Sequence, residues 1–176
     1  MGRIPFFVLM ALALLGATAS ASASPSALTG TFTVQFPKGH PASNAPCDPD
    51  TFCGVGVLVG DGAATITILD ESFDEIAGSS CLAVTRVERL DLLEADGALE
   101  IESAGTFCRP GRSGDSHASP SSWGSPGRWN LRFEVLGAES TGVFTGASGG
   151  GKETMDVNGG IGVWHLDGEV GAGAQR

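Results

Sequence analysis

An all-β fold, an antiparallel eight-stranded up-and-down β-barrel, is predicted by three observations. Period-two alternation of apolar and polar residues recurs in segment after segment. Turn residues, glycine above all, separate those segments. Beyond a short apolar leader, no stretch carries the apolar periodicity of an amphipathic helix. Meander connections without helical crossovers imply antiparallel pairing. Eight strands can close on themselves, and closure removes exposed edges. A two-sheet sandwich is the alternative architecture.

The chain of 176 residues opens with Met-Gly-Arg, runs through an apolar stretch at 4–15 interrupted by Pro5, and reaches Ala19-Ser20-Ala21-Ser22-Ala23. A basic start, a short apolar centre and a small-residue exit read as a signal peptide over 1–23. About a dozen apolar residues fall short of the roughly 20 that a spanning helix needs. The expectation is a secreted, extracellular protein with 24–176 as a single barrel domain and no membrane contact in the mature form. The net charge of −10 argues against nucleic acid and anionic membranes as partners, because both are held through Lys and Arg.

The strands follow in order. Phe32, Val34 and Phe36 alternate with Thr31, Thr33 and Gln35. Val55, Val57 and Val59 make a second strand, which an Asp61-Gly62 turn joins to a third over 65–69. Leu82, Val84, Leu90 and Leu92 set the inner face of a long fourth, and Asp96-Gly97 turns into a fifth over 99–107. Trp129, Leu131, Phe133 and Val135 alternate with Asn130, Arg132 and Glu134 in the cleanest strand of the chain. Segments 154–157 and 161–170 complete the set.

Up-and-down order puts the connections 37–53, 71–80 and 109–127 on one rim. All four cysteines, Cys47, Cys53, Cys81 and Cys108, sit in or border these segments. An even cysteine set in an exported chain predicts two disulfides. Cys47 with Cys53 would close a short loop and leave Cys81 with Cys108, although three connectivities are formally open. The bridges would pin the mouth of the barrel, or simply restrain Pro/Ser/Gly-rich loops from fraying. A two-residue turn at Asp96-Gly97 sets Cys108 opposite Thr85 instead of Cys81. That offset is roughly 13 Å of strand, whereas a disulfide needs Cα atoms within about 7 Å. A bulge, a longer turn or another connectivity must then intervene.

No metal site is predicted: the cysteines lack a C-x-x-C spacing, His40, His117 and His165 are scattered, and no EF-hand-like loop surrounds the acidic clusters at Asp48, Asp50, Asp70, Glu71, Asp74 and Glu75. Those clusters read as solvated loops. Gly146-Ala147-Ser148-Gly149-Gly150 matches G-x-S-x-G in form, without the strand-turn-helix context of a nucleophile elbow. Trp129 and Trp164 fit strand interiors, leaving Trp123 as a possible exposed platform.

The lumen polar candidates are Arg86 and Glu88. If Val84, Leu90 and Leu92 face inward, period two turns Arg86 and Glu88 inward as well. A buried pair of charges is costly unless it is hydrogen-bonded or serves a ligand. A bulge near Val87 would instead flip the parity and turn both to solvent, and this cheaper outcome is the preferred one.

The segment 139–152, Glu-Ser-Thr-Gly-Val-Phe-Thr-Gly-Ala-Ser-Gly-Gly-Gly-Lys, reads as a tight corner built on Gly142, Gly146 and Gly149 around one apolar anchor, Phe144. Its core, 141–149, resembles the G-T-G-x-F-A-G-A-T-G-S-G corner of small secreted bacterial barrels grouped with the allene oxide cyclase barrel and dirigent-like proteins. It departs at Ser140, Thr145, Ser148 and Gly150, where that pattern has Gly, Ala, Thr and Ser. Phe52-Cys53-Gly54-Val55-Gly56, the segment 60–65 and Gly105-Thr106-Phe107-Cys108 agree with the same group. The resemblance implies an allene oxide cyclase barrel-like, calycin-like architecture, whose lumen holds an apolar substrate beside a few polar groups. No catalytic residue carries over, and no cofactor is implied.

Three roles follow as expectations. The first is binding of a small apolar or amphipathic molecule in the lumen. The second is isomerase or cyclase chemistry by confinement, as the resemblance implies. The third is a packed structural or surface-interaction barrel with no ligand.

Overall fold

The computed structural model describes residues 24–35, 52–109, 126–158 and 160–173. Cys47, His40, His117, Trp123 and the leader segment 1–23 read as a signal peptide lie outside the described residues. The strands are β1 (Ser26–Gln35), β2 (Cys53–Leu58), β3 (Gly62–Glu75), β4 (Cys81–Leu92), β5 (Gly97–Cys108), β6 (Gly127–Val135), β7 (Thr141–Gly142), β8 (Ser148–Asn158) and β9 (Ile161–Gly171). β7 is two residues long and pairs only with the start of β5. The other eight pair in antiparallel order and close through β1–β9 and β4–β5. The fold is an up-and-down eight-stranded barrel.

Period two explains the core. β6 alternates strictly, Trp129, Leu131 and Phe133 buried and Arg128, Asn130, Arg132 and Glu134 exposed. Leu28, Phe32 and Val34 of β1, Leu90 and Leu92 of β4, Leu99 and Ile101 of β5 and Leu166 of β9 join them in the core.

β2 sets its glycines inward. Its valines point outward, with Val57 55% exposed, and Gly54, Gly56 and Leu58 face the lumen. The cause is Phe32 on the paired strand β1. A Cβ at Gly56 would come within 2.7 Å of Phe32 Cα and 2.8 Å of its ring. Glycine supplies the space for the aromatic ring, so the inner face of β2 carries almost no side chain of its own. Phe133 makes a similar demand on Gly151 and Gly168, where an added Cβ would approach its ring to 2.8 and 2.7 Å.

Two turns differ from those the sequence predicts. β2 pairs with β3 as far as Leu58 with Gly62, so the connection is Val59-Gly60-Asp61 and not Asp61-Gly62. β4 pairs with β5 as far as Asp91 with Ala98, and residues 93–96 form a longer bend than an Asp96-Gly97 turn. That longer bend resolves the disulfide register. Cys81 stands directly opposite Cys108, and the two are bonded with Cα atoms 4.2 Å apart. Cys53 is also disulfide-bonded.

The corner after β6 packs as a unit. Phe144 and Ala147 are buried, and Gly142 and Gly146 take φ of +57° and +69°, where an L side chain is strained. Ser140 Oγ donates to the Leu136 carbonyl and accepts from the Glu100 N–H, tying the corner to β5. Gly149, φ +149°, lies at the start of β8 against the Glu169 and Val170 backbone.

Candidate binding site in the barrel lumen

Arg86 and Glu88 are buried in the lumen, 1% and 0% exposed. The bulge preferred near Val87 is absent from β4, which alternates without interruption from Val84 to Leu92. It lies across the ladder, on β3: Ile68 pairs with Glu88 and Asp70 with Val87, leaving Leu69 as the extra residue. Leu69 is exposed. A bulge resets the parity of the strand that contains it. Ile66 and Ile68 face inward before it, and Glu71 and Phe73 after it, so Glu71 comes to face Arg86 directly.

Four further side chains join the pair. Arg86 Nε lies 2.6 Å from Glu88 Oε1, and Nη1 lies 3.6 Å from Glu71 Oε1. Nη2 donates to Glu153 Oε1 of β8. Trp164 Nε1 of β9 donates to the same oxygen at 2.7 Å, while the Arg86 guanidinium lies 4.4 Å from the Trp164 ring centroid. Ser103 of β5 bridges Glu88 Oε2 at 2.8 Å and Glu153 Oε2 at 2.5 Å. Side chains from five strands thus form one cluster around a single guanidinium.

Proton accounting follows from this geometry. A hydroxyl carries one hydrogen, so Ser103 can donate to only one of the two carboxyls it touches. The other contact sets two oxygens against each other, which adds to the cost of holding both carboxyls ionised there. Burial drives the Glu88 carboxyl above its ordinary range, against the opposing pull of Arg86 and the hydrogen bond from Ser103. Glu71 is pushed up to about 7, first by burial and then by the Glu88 charge, with Arg86 opposing. Burial also lowers the Arg86 pKa, and Glu88 and Glu71 oppose that shift.

Satisfaction is uneven. Both Glu71 oxygens, Arg86 Nε and Nη1 and Glu88 Oε1 are buried without an aligned hydrogen bond. The ion pairs to Arg86 supply attraction without directional bonds. Glu71 is the most accessible acid of the cluster, its side chain 7% exposed against 0% for Glu88 and Glu153. Toward the disulfide-bearing end lie Phe73, Leu82, Val84, Phe107 and Trp129, with the Phe107 and Trp129 rings 4.1 Å apart. Phe73 and Leu82 are only partly buried. Phe52, also partly buried, stands 6.3 Å from the Trp164 ring. Trp129 Nε1 is buried there without a hydrogen-bond partner. The opposite half of the lumen is aliphatic and closed, with Ile66, Leu90, Leu99 and Ile101 each 0% exposed.

Sequence reading missed Glu71, Ser103 and Glu153. Ser103 shares parity with Leu99, Ile101 and Phe107, and Glu153 with Met155 and Val157, so extending each strand's inner face would have found both. Glu71 was read as a solvated loop residue; β3 continues through it, and the Leu69 bulge hides its parity. His165 faces outward and shares a hydrogen bond with Thr31. Ser148 is exposed at the start of β8, a strand and not a helix. Among the described residues, no three His, Cys, Asp or Glu side chains converge in a way that could hold a metal ion.

Fold and cluster together define a class, an up-and-down antiparallel barrel with a dehydrated ion cluster at mid-lumen. No protein-family model, curated protein or solved structure matches the chain.

Proposed function

We propose that this protein is an exported barrel that binds a small amphipathic molecule through the disulfide-bearing end of its lumen. The observation that carries the reading is the pair of Glu71 carboxyl oxygens, buried without an aligned hydrogen bond and lying next to the partly exposed Phe73 and Leu82. Buried polar atoms without partners are costly, and a ligand with an apolar body and a polar group would satisfy them while covering the aromatic layer. Export is supported by the leader-like start of the chain and by the Cys81–Cys108 disulfide. No helix among the described residues is long and apolar enough to cross a membrane.

A second reading, a packed barrel without ligand, is favoured by one observation. Arg86, Glu88, Ser103, Glu153 and Trp164 are each 0–1% exposed, which leaves no water-sized space beside them. Binding in the first reading therefore displaces Phe73 or Leu82 and leaves the aliphatic half intact. Native mass spectrometry of the protein purified from its culture medium, before and after denaturation, separates the two. A bound mass that is lost on denaturation, and is absent from a folded Val84→Phe variant, supports binding and identifies the compound to assay for turnover. A bare chain, with no melting shift across a panel of amphipathic compounds, supports the packed barrel.

A further inference from the structure

We infer that the polar group this site takes is an organic cation, a protonated amine on an apolar body, held by Glu71. The inference rests on the lumen-binding reading and deepens it. Its first support is the charge balance: three carboxyls, Glu71, Glu88 and Glu153, face one guanidinium. One guanidinium can offset only one of three carboxylate charges, and Ser103 holds Glu88 and Glu153 together by donating to one of them. The third, Glu71, is left with its side chain 7% exposed, no aligned hydrogen bond to either oxygen, and a single ion pair at 3.6 Å to Arg86 Nη1. An anion placed there would meet the carboxyl of Glu71 itself, with Glu88 also acting on the site. An ammonium would supply the missing charge and donate to both Glu71 oxygens at once.

The second support is the surrounding surface. Phe73 and Trp129 lie toward the same end of the lumen as Glu71, and this barrel already sets cations against rings, Arg86 at 4.4 Å from Trp164 and Arg109 at 5.8 Å from Phe107. Outside, Asp70, Asp74 and Glu75 are exposed on the same stretch of β3. With a chain net charge of −10, their field concentrates cations at this end. The groups bearing on Glu71 are Arg86 and Glu88 of β4, with Ser103 of β5, Glu153 of β8 and Trp164 of β9 behind them, and Arg109 near the rim. A proton on Glu71 competes with the ammonium, so uptake of the amine releases that proton.

The test is calorimetric titration of the full mature protein with octylammonium, octanol and octanoate, three probes with one apolar body. Octylammonium is expected to bind at least about 10-fold more tightly than octanol, the worth of one charge-assisted hydrogen bond, with octanoate weakest. Titration near pH 6.5 in buffers of different ionisation enthalpy is expected to show proton release. Glu71→Gln should reduce octylammonium to the affinity of octanol and leave octanol unchanged. Octanoate binding as tightly as octylammonium, or a cation preference that survives Glu71→Gln, overturns the cation assignment while lumen binding stands. If none of the three binds, lumen binding itself fails, and the cation assignment with it.

Discussion

Replacing Arg86 by Met keeps an unbranched apolar stem against Trp164 and removes the only cation of the cluster. Removing one partner of a buried ion pair typically costs about 3–5 kcal/mol. Here the loss reaches three carboxyls: Glu88 at 2.6 Å, Glu71 at 3.6 Å, and Glu153, which is hydrogen-bonded to Nη2. The contact with Trp164 at 4.4 Å is lost as well. The upper end of the range, about 5 kcal/mol at pH 8, is therefore expected. That is a large share of the roughly 5–15 kcal/mol that holds a domain folded. At pH 5 the penalty shrinks, because Glu71, pushed up to about 7 by burial, takes a proton and no longer needs the cation. Urea denaturation followed by tryptophan fluorescence at both pH values measures the difference. A loss under about 1 kcal/mol at pH 8, or a loss larger at pH 5 than at pH 8, would refute the charge accounting.

Other expectations follow from the same structure. Glu71 ionises at 4.5 ordinarily and at about 7 in the fold, so the folded state holds its proton longer than the unfolded chain. Stability should fall as pH rises from 4.5 to 7 and level off above, by an amount on the order of 3 kcal/mol. Glu71→Gln should flatten that slope and raise stability at pH 8, as thermal melts at several pH values would reveal. Gly56→Ala forces a Cβ to within 2.7 Å of Phe32 Cα and should cost about 1–3 kcal/mol or more through splaying of β1 from β2; an unchanged denaturation midpoint would contradict the close approach. Replacing Cys81 and Cys108 together with Ser opens a link between residues 27 apart in sequence and should cost about 2–4 kcal/mol, read from denaturation under otherwise identical conditions. Asp156→Asn removes a bidentate partner of Arg128, but both side chains are more than half exposed, and the denaturation midpoint should not move measurably.

Local chemistry alone made the architecture legible. Side-chain alternation in β1, β4, β6 and β9 and the glycine-rich corner at Gly142, Phe144 and Gly146 are properties of consecutive residues, and they predict strands and a closed barrel; for Arg86 and Glu88 they allow the inward parity, while the preferred reading turns both to solvent. What sequence parity could not supply was the partner of each residue. The pairing of Cys81 with Cys108 depends on the length of the 93–96 bend, and the lumen face of β2 depends on Phe32 lying across Gly54 and Gly56. The bulge is the sharpest case. Any one-residue irregularity near the charges could have turned them to solvent, and the cost of burial made that outcome the cheaper one. Tertiary structure put the irregularity at Leu69 on the neighbouring strand, which left Arg86 and Glu88 inside and brought in Glu71. Burial then became affordable because Ser103, Glu153 and Trp164, up to 78 positions away from Arg86 in the chain, arrive on three other strands. Sequence determined the barrel because alternation is local; only closure decided the ion cluster, because its electrostatics belong to side chains that no local pattern connects.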